Sequence, residues 1–295
     1  MKSIISRYNP FYLIASVVFL QFTFANTSLF TDEEYEGVSL QSYSYANTTS
    51  SFTIQLWVKP TATRPTTSQT TTGSHLTNQR YAIYPEHGEI AYGSGHSGVG
   101  ISVGTNGVSV FEHGDQYGVS PLVYDANISD WTHITVIYNN NSTSLYINGA
   151  FVKNGLTSVK ITHPSARWFG AGGGDDEWNY GNYKGYLDDI KIYDRVLSAE
   201  EIENNMFLTS PDGLIGYWNF DQEGGATVYD LSANNNDGTL LDGTTFSTSI
   251  PYLQNIAWHV STNGSDEDNY GTTEDYAFAS IQYALDAAFE HDTIF

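Results

Sequence analysis

An all-β fold is predicted by three features of the sequence: apolar/polar alternation over Ser51 to Pro60, a similar run over Trp131 to Tyr138, and the Asn148-Gly149 pair that turns one strand back on the next. In the first run Phe52, Ile54, Leu56 and Val58 share one face, Trp57 belongs to the other, and Pro60 ends the strand. The second run passes through Asn139-Asn140-Asn141 into Ser144 to Ile147, and Asn148-Gly149 returns the chain through Phe151 and Val152. Between the runs lie short strands at Tyr81 to Tyr84, Gly100 to Val103 and Val108 to Phe111, with Thr105-Asn106-Gly107 as a hairpin signal. Thr61 to Thr77, rich in Thr and Ser and without periodicity, reads as a long exposed loop. Asn26 to Tyr45, with Asp32, Glu33, Glu34 and Glu36 close together, reads as a solvated leading segment.

The chain is organised around Gly185 to Ile202, GYLDDIKIYDRVLSAEEI, a strand, a turn and a helix in succession. Strand parity puts Asp188 on one face with Tyr186, Ile190 and Ile192. A carboxylate there needs several backbone N–H groups or a cation, because an unpaired buried charge costs several kcal/mol. Ser198 and Glu201 fit the capping box S-x-x-E, which predicts a short helix ending near Asn204.

Composition narrows the function. At 295 residues, 40% hydrophobic and 15% aromatic, the chain has the apolar content for a real core. Its 33 acidic against 11 basic residues give a formal charge of -22, which repels nucleic acid and suits divalent cations. Without cysteine there is no disulfide and no thiolate metal site. Lys2 and Arg7 precede an apolar run from Phe11 to Phe24, and Thr23-Phe24-Ala25 offers a cleavage site. Residues 1–25 therefore read as a signal peptide, no membrane span is expected in the mature chain, and the protein is expected to be secreted.

The runs FTIQLWVKP, WTHITVIY followed by LYING, and GYLDDIKIYDRVLSAEEI resemble, in that order, segments of the laminin G-like and pentraxin-like domains of the concanavalin A-like superfamily. The resemblance implies a two-sheet antiparallel jelly-roll sandwich over residues 26–205, with ligand contacts from loops at one rim. It leaves function open among lectins, adhesion modules and glycosidases. Glycosidases of that superfamily carry two carboxylates on one strand in an E-x-D-x-x-E run, and no such run occurs here. The segment 206–253 contains YWNFDQEGGATVYDLSANNNDG, which usually opens such a domain. Here it follows the closing helix, and it is expected to complete the sandwich. Residues 254–295 resemble the N-terminal cap of pectin lyase-like right-handed β-helices, with Ile281, Ala284, Leu285 and Ala288 on one helix face and the chain stopping inside the first coil.

Two loops carry the candidate site. Gly170 to Tyr180 combines glycines, which free the backbone, with Asp175, Asp176 and Glu177, which supply the hard oxygen ligands Ca²⁺ takes. Trp178, Asn179 and Tyr180 follow as candidate ligand-binding residues, the aromatic rings suited to stacking on a sugar; a solvated acidic loop is the alternative. Asp188 is the candidate for holding that rim, as a ligand or by accepting backbone hydrogen bonds. Asp230, Ser232, Asn234 and Asn236 place oxygens at alternate positions ahead of Gly238, either as a weak Ca²⁺ motif or as a turn whose side chains bond their own backbone. Among the eight histidines, His87-Gly88-Glu89 and His113-Gly114-Asp115 lack a zinc-helix context and read as satisfied turn residues. Asn47, Asn127, Asn141 and Asn263 head N-x-[ST] sequons. Together these readings describe a carbohydrate-binding or adhesion module with Ca²⁺ as a structural ion and an extracellular polysaccharide or glycoprotein as partner. The alternatives are the front part of a polysaccharide lyase or hydrolase acting through its β-helix coils, or a structural spacer.

Overall fold

The computed structural model describes residues 26–41, 44–73, 76–114, 118–172, 181–206, 209–222, 224–241 and 243–251, and beyond them 257–266, 271, 274, 276–287 and 293–294. In chain order the strands are β1 (Ser28–Thr31), β2 (Val38–Ser39), β3 (Phe52–Pro60), β4 (Tyr81–Ile83), β5 (His96–Gly104), β6 (Gly107–His113) and β7 (Gly118–Asp125). Then come β8 (Thr132–Asn139), β9 (Ser142–Ile147), β10 (Ala150–Thr157), β11 (Ile161–Pro164), β12 (Trp168–Phe169) and β13 (Gly185–Tyr193). The last are β14 (Leu214–Trp218), β15 (Thr227–Val228), β16 (Gly238–Leu240), β17 (Thr245–Ser247), β18 (Ala257–Trp258) and β19 (Thr293–Ile294). The helices are α1 (Gly88–Tyr92), α2 (Ala199–Asn204) and α3 (Ile281–Ala287).

Two large sheets form a jelly-roll sandwich. The first runs β10-β9-β8-β3-β13-β1-β17, with β14 also paired to β13. The second runs β15-β16-β2-β12-β4-β5-β6-β7, with β11 parallel to β5. Alternation sets which side chains meet between them: Phe52, Ile54, Leu56 and Val58 of β3 face Val99, Ile101, Val108 and Val110 of β5 and β6 in one continuous core. Asn148 and Gly149 take φ of +48° and +76°, the left-handed pair that a two-residue hairpin demands, and they join β9 to β10. The capping box forms: the Ser198 hydroxyl accepts from Glu201 N–H at 3.2 Å and the Glu201 carboxylate accepts from Ser198 N–H at 2.7 Å. α2 covers the outer face of the first sheet, where Trp57 Nε1 donates to Met206 O at 3.1 Å.

Three expectations change. Residues 26–45 are not a solvated leader: β1 lies between β13 and β17, β2 lies between β12 and β16, and Leu29 and Val38 are fully buried. The loop after β3 is not wholly exposed, because Arg64 is buried and donates to Tyr124 O and Asp125 Oδ1, and Leu76 packs under Tyr81. Asp188 does not share a face with Ile190 and Ile192. A β-bulge lies between Asp188, opposite Trp57, and Lys191, opposite Gln55, and Asp189 takes φ +46°. The extra residue inverts the parity, so Leu187 joins Ile190 and Ile192 in the core while Tyr186 lies outside against Phe30, the rings tilted by 39°.

The segment after α2 adds β14 to the first sheet beside β13 and β17 beside β1, and adds β15 and β16 to the second sheet through β2. Farther on, β18 and β19 pair in parallel, and Ile281 and Leu285 of α3 are exposed. Among the described residues no helix is long and apolar enough to cross a membrane.

Candidate functional site

A cleft of about 520 Å³ opens at one rim of the sandwich, lined by Glu33, Glu34, Pro65, Asn78, Arg80, Gly181, Asn182 and Lys184. That volume is within the range of small-molecule sites. Glu33 and Glu34 stand on the turn from β1 to β2, which Glu36 fixes from within by accepting from Asp32 N–H at 2.6 Å and Glu33 N–H at 3.0 Å. The same turn carries Tyr35, 45% exposed. Arg80 leads into β4, and Lys184 leads into β13. The far wall is pinned by close backbone approach: a Cβ on Gly172 would lie 1.7 Å from Gly181 O, and one on Gly181 would lie 2.1 Å from Gln79 O. Asn182 closes this neck, its Oδ1 accepting from Gly172 N–H at 2.9 Å and its backbone carbonyl accepting from Arg80 Nη1 at 3.4 Å. Two buried donors at the cleft, Arg80 Nε and Asn182 Nδ2, have no acceptor.

Asp175, Asp176, Glu177, Trp178, Asn179 and Tyr180 lie outside the described residues, whereas Gly172 and Gly181, on either side of them, belong to the neck of this cleft. Asp230 is buried and fully engaged. Its Oδ1 accepts from Tyr217 N–H and Ser232 N–H, both at 2.9 Å, and its Oδ2 accepts from the Ser232 hydroxyl at 2.9 Å and Asn236 N–H at 2.8 Å. Four donors occupy the lone pairs a cation would use, so this carboxylate organises a turn.

Asp188 is only 4% exposed and its Oδ1 accepts from Asp189 N–H at 2.9 Å. Burial pushes its carboxyl well above the usual range, and the charges of Asp189 and Asp221 push the same way. Asp221 is raised to about 6, chiefly by burial, against the Thr27 N–H it accepts. Mutually repelling carboxylates in a low-dielectric setting are the donor chemistry that Ca²⁺ relieves. Yet among the described residues no three acidic or imidazole side chains are grouped to hold an ion. A cation at Asp188 would therefore need further oxygen ligands.

Sequence reasoning missed Glu33, Glu34, Arg80, Asn182 and Lys184 as one site. The acid run from Asp32 to Glu36 was visible, but nothing local in the sequence brings three distant segments together. Among the described residues, Tyr81, Tyr84, Phe111 and Trp168 of the second sheet's outer face are buried together and form no open sugar platform.

The histidine pair does meet, with the rings of His87 and His113 4.6 Å apart. His113 Nδ1 lies 3.0 Å from Pro85 O, and burial lowers its pKa to about 4. The unfolded chain takes up this proton near pH 6.5, before the folded one does, so stability is complete above that pH and declines as pH falls toward 4. Relative to His113→Gln, the wild type is expected to lose roughly 3 kcal/mol more between pH 7 and 4. Urea melts at both pH values check this, and parallel profiles for the two proteins would refute it.

A two-sheet antiparallel jelly roll of this topology is the architecture of a concanavalin A-like domain. Residues 32–203 match a laminin G family of the concanavalin A-like lectin/glucanases superfamily, over more than half of the chain, and the chain belongs to that family. Among solved structures it is similar to a proposed carbohydrate-binding protein from Bacteroides ovatus, at 14% identity and a TM-score of 0.45, over 76% of this chain and 60% of that one. It is also similar to the heptameric SAP-like pentraxin from Limulus polyphemus, at 13% identity and a TM-score of 0.40, over 76% and 89%. A third similar structure is domain 4 of an extracellular arabinanase from Geobacillus stearothermophilus in complex with arabinotriose, at 16% identity and a TM-score of 0.33, over 57% and 75%. No curated protein sequence matches the chain.

Proposed function

We propose that the protein is an extracellular carbohydrate-binding module whose ligand site is the rim cleft. The observation that carries this reading is the lining. Acceptors on Glu33 and Glu34 and donors on Arg80, Asn182 and Lys184 line one space of about 520 Å³, in a family whose name joins lectins and glucanases. Sugars present alternating hydroxyl donors and acceptors, and a polar cleft with both kinds of partner matches that pattern. Tyr35, exposed beside the acids, supplies an aromatic face at the edge. A calcium ion at Asp188 and attachment to a parallel β-helix through residues 254–295 belong to the same proposal. The parallel pairing of β18 with β19 favours the second of these. With it goes the alternative that coils beyond carry polysaccharide-cleaving chemistry.

The test is a glycan array probed with the whole chain, followed by calorimetry on each hit. Glu33→Gln/Glu34→Gln is expected to weaken binding at least tenfold, since each change removes charged acceptors worth about 1.5–3 kcal/mol. Unchanged affinity in the double variant would place the ligand elsewhere. An empty array, with calcium present and absent, would leave the sandwich as a spacer.

A further inference from the structure

Resting on the cleft reading above, we infer that the glycan bound there is acidic, carrying a carboxylate or a sulfate ester that seats against Arg80, Asn182 and Lys184. The chemistry of the wall decides the sign. Arg80 Nε and Asn182 Nδ2 are buried donors with no acceptor, and leaving such groups unmade costs about 1–3 kcal/mol each. Asn182 cannot turn its amide over to escape, because its Oδ1 is already committed to Gly172 N–H at 2.9 Å. The guanidinium reaches the carbonyl of Asn182 only at 3.4 Å, a contact too long to satisfy it fully. Lys184 adds a second full positive charge to the same lining. Three donor residues, two of them cationic, line the cleft, where a neutral sugar would offer only hydroxyls. An oxyanion supplies acceptors for the two cationic side chains, and a guanidinium pairs with planar carboxylate or with sulfate oxygens in bidentate fashion.

Glu33 and Glu34 set two negative charges against the two positive ones in this lining, so the acid group must seat on the side of Arg80 and Lys184. Their carboxylates are acceptors only, so they take ring hydroxyls from the rest of the sugar and fix which way the acid group points. The chain's formal charge of -22 repels a polyanion at long range, but the Debye length is about 8 Å at physiological ionic strength, so a contact pair inside the cleft outlasts that repulsion. Only 11 residues of the chain are basic, and two of them line this one cleft.

The test compares four probes with the whole chain in EDTA, so that no cation bridges protein and glycan: an oligogalacturonate, its carboxyl-reduced counterpart, a sulfated galactan oligosaccharide and its desulfated form. The acidic member of at least one pair is expected to bind about tenfold or more tightly than its neutral twin, as a charged hydrogen bond implies. Which pair shows the preference separates carboxylate from sulfate. Lys184→Glu, on a half-buried side chain, should bring that ratio to about one, and Arg80→Gln should lower it, with melting temperatures confirming that both fold. Acidic and neutral twins binding alike would overturn the inference and leave the carbohydrate-binding reading standing. Binding to none of these probes or to any arrayed glycan would overturn both. A preference for acid that survives Lys184→Glu and Arg80→Gln would overturn the assignment to this cleft.

Discussion

Trp218→Ala is expected to lower the stability of the whole sandwich by about 4 kcal/mol, the range for deleting a large aromatic ring from a packed core. Trp218 is fully buried, 4.8 Å from Phe169 in an edge-on contact, and its Nε1 donates to Asn236 O at 3.2 Å. It lies on β14, opposite Ile190 of β13, yet it reaches Phe169 of the other sheet, so one side chain ties the C-terminal segment to both layers. The substitution leaves a cavity and an unpaired carbonyl at Asn236. In a domain of this size the loss corresponds to a fall in melting temperature of roughly 10 °C. Tyr229→Ala, on an exposed ring of the same segment, serves as the control and should stay within about 0.5 kcal/mol of wild type. Tryptophan fluorescence and far-UV circular dichroism during urea unfolding would read both. A loss below about 1 kcal/mol, or a second transition seen only by one probe, would mean that residues 213–247 fold apart from the sandwich.

The contrast between β3 and β1 explains what was legible in the sequence. β3 announces itself because Phe52, Ile54, Leu56 and Val58 repeat with period two and every one of them enters the core. β1 is as deeply placed, but it contributes Ser28 and Thr31, which are buried through hydrogen bonds to Ser249 O and Tyr183 O, and hydropathy cannot see such burial. β7 was hidden by Pro121, which it tolerates as the last strand of its sheet. The parity of Asp188 failed for a different reason. A bulge is a single-residue event, and Asp189 at φ +46° leaves no mark in composition. The cleft was illegible because Glu33, Arg80 and Lys184 are brought together only by the finished topology, β1 beside β13 and the chain before β4 against Gly181. The Asn-rich turn, by contrast, was half legible. Its alternating oxygens were plain, and the structure assigns them to Asp230 gathering backbone and hydroxyl donors from Tyr217, Ser232 and Asn236.

Asp188→Asn is expected to reverse the effect of calcium on stability. In EDTA at pH 7.5 the wild type carries a buried carboxyl whose ionised form is disfavoured by burial first and then by Asp189 and Asp221. The neutral amide removes that repulsion and can still accept from Asp189 N–H, so the variant should be at least as stable as the wild type. The pH dependence has a definite sign. Asp221 binds its proton near 6 when folded and near 3.8 when unfolded, so its contribution to stability falls as pH rises through that window and is recovered on acidification. Asp188, raised well above its ordinary value, acts in the same direction. Under the proposal of a calcium ion at Asp188, the cation offsets that penalty. Calcium at about 100 times its dissociation constant should then add about 2.7 kcal/mol to the wild type at pH 7.5, less at pH 5 where protons compete, and nothing to Asp188→Asn. The order of the two proteins in EDTA would thus invert in calcium. No calcium shift in the wild type would leave Asp188 as a hydrogen-bonded acid that holds the bulge. An undiminished shift in Asp188→Asn would move the ion away from this carboxylate altogether.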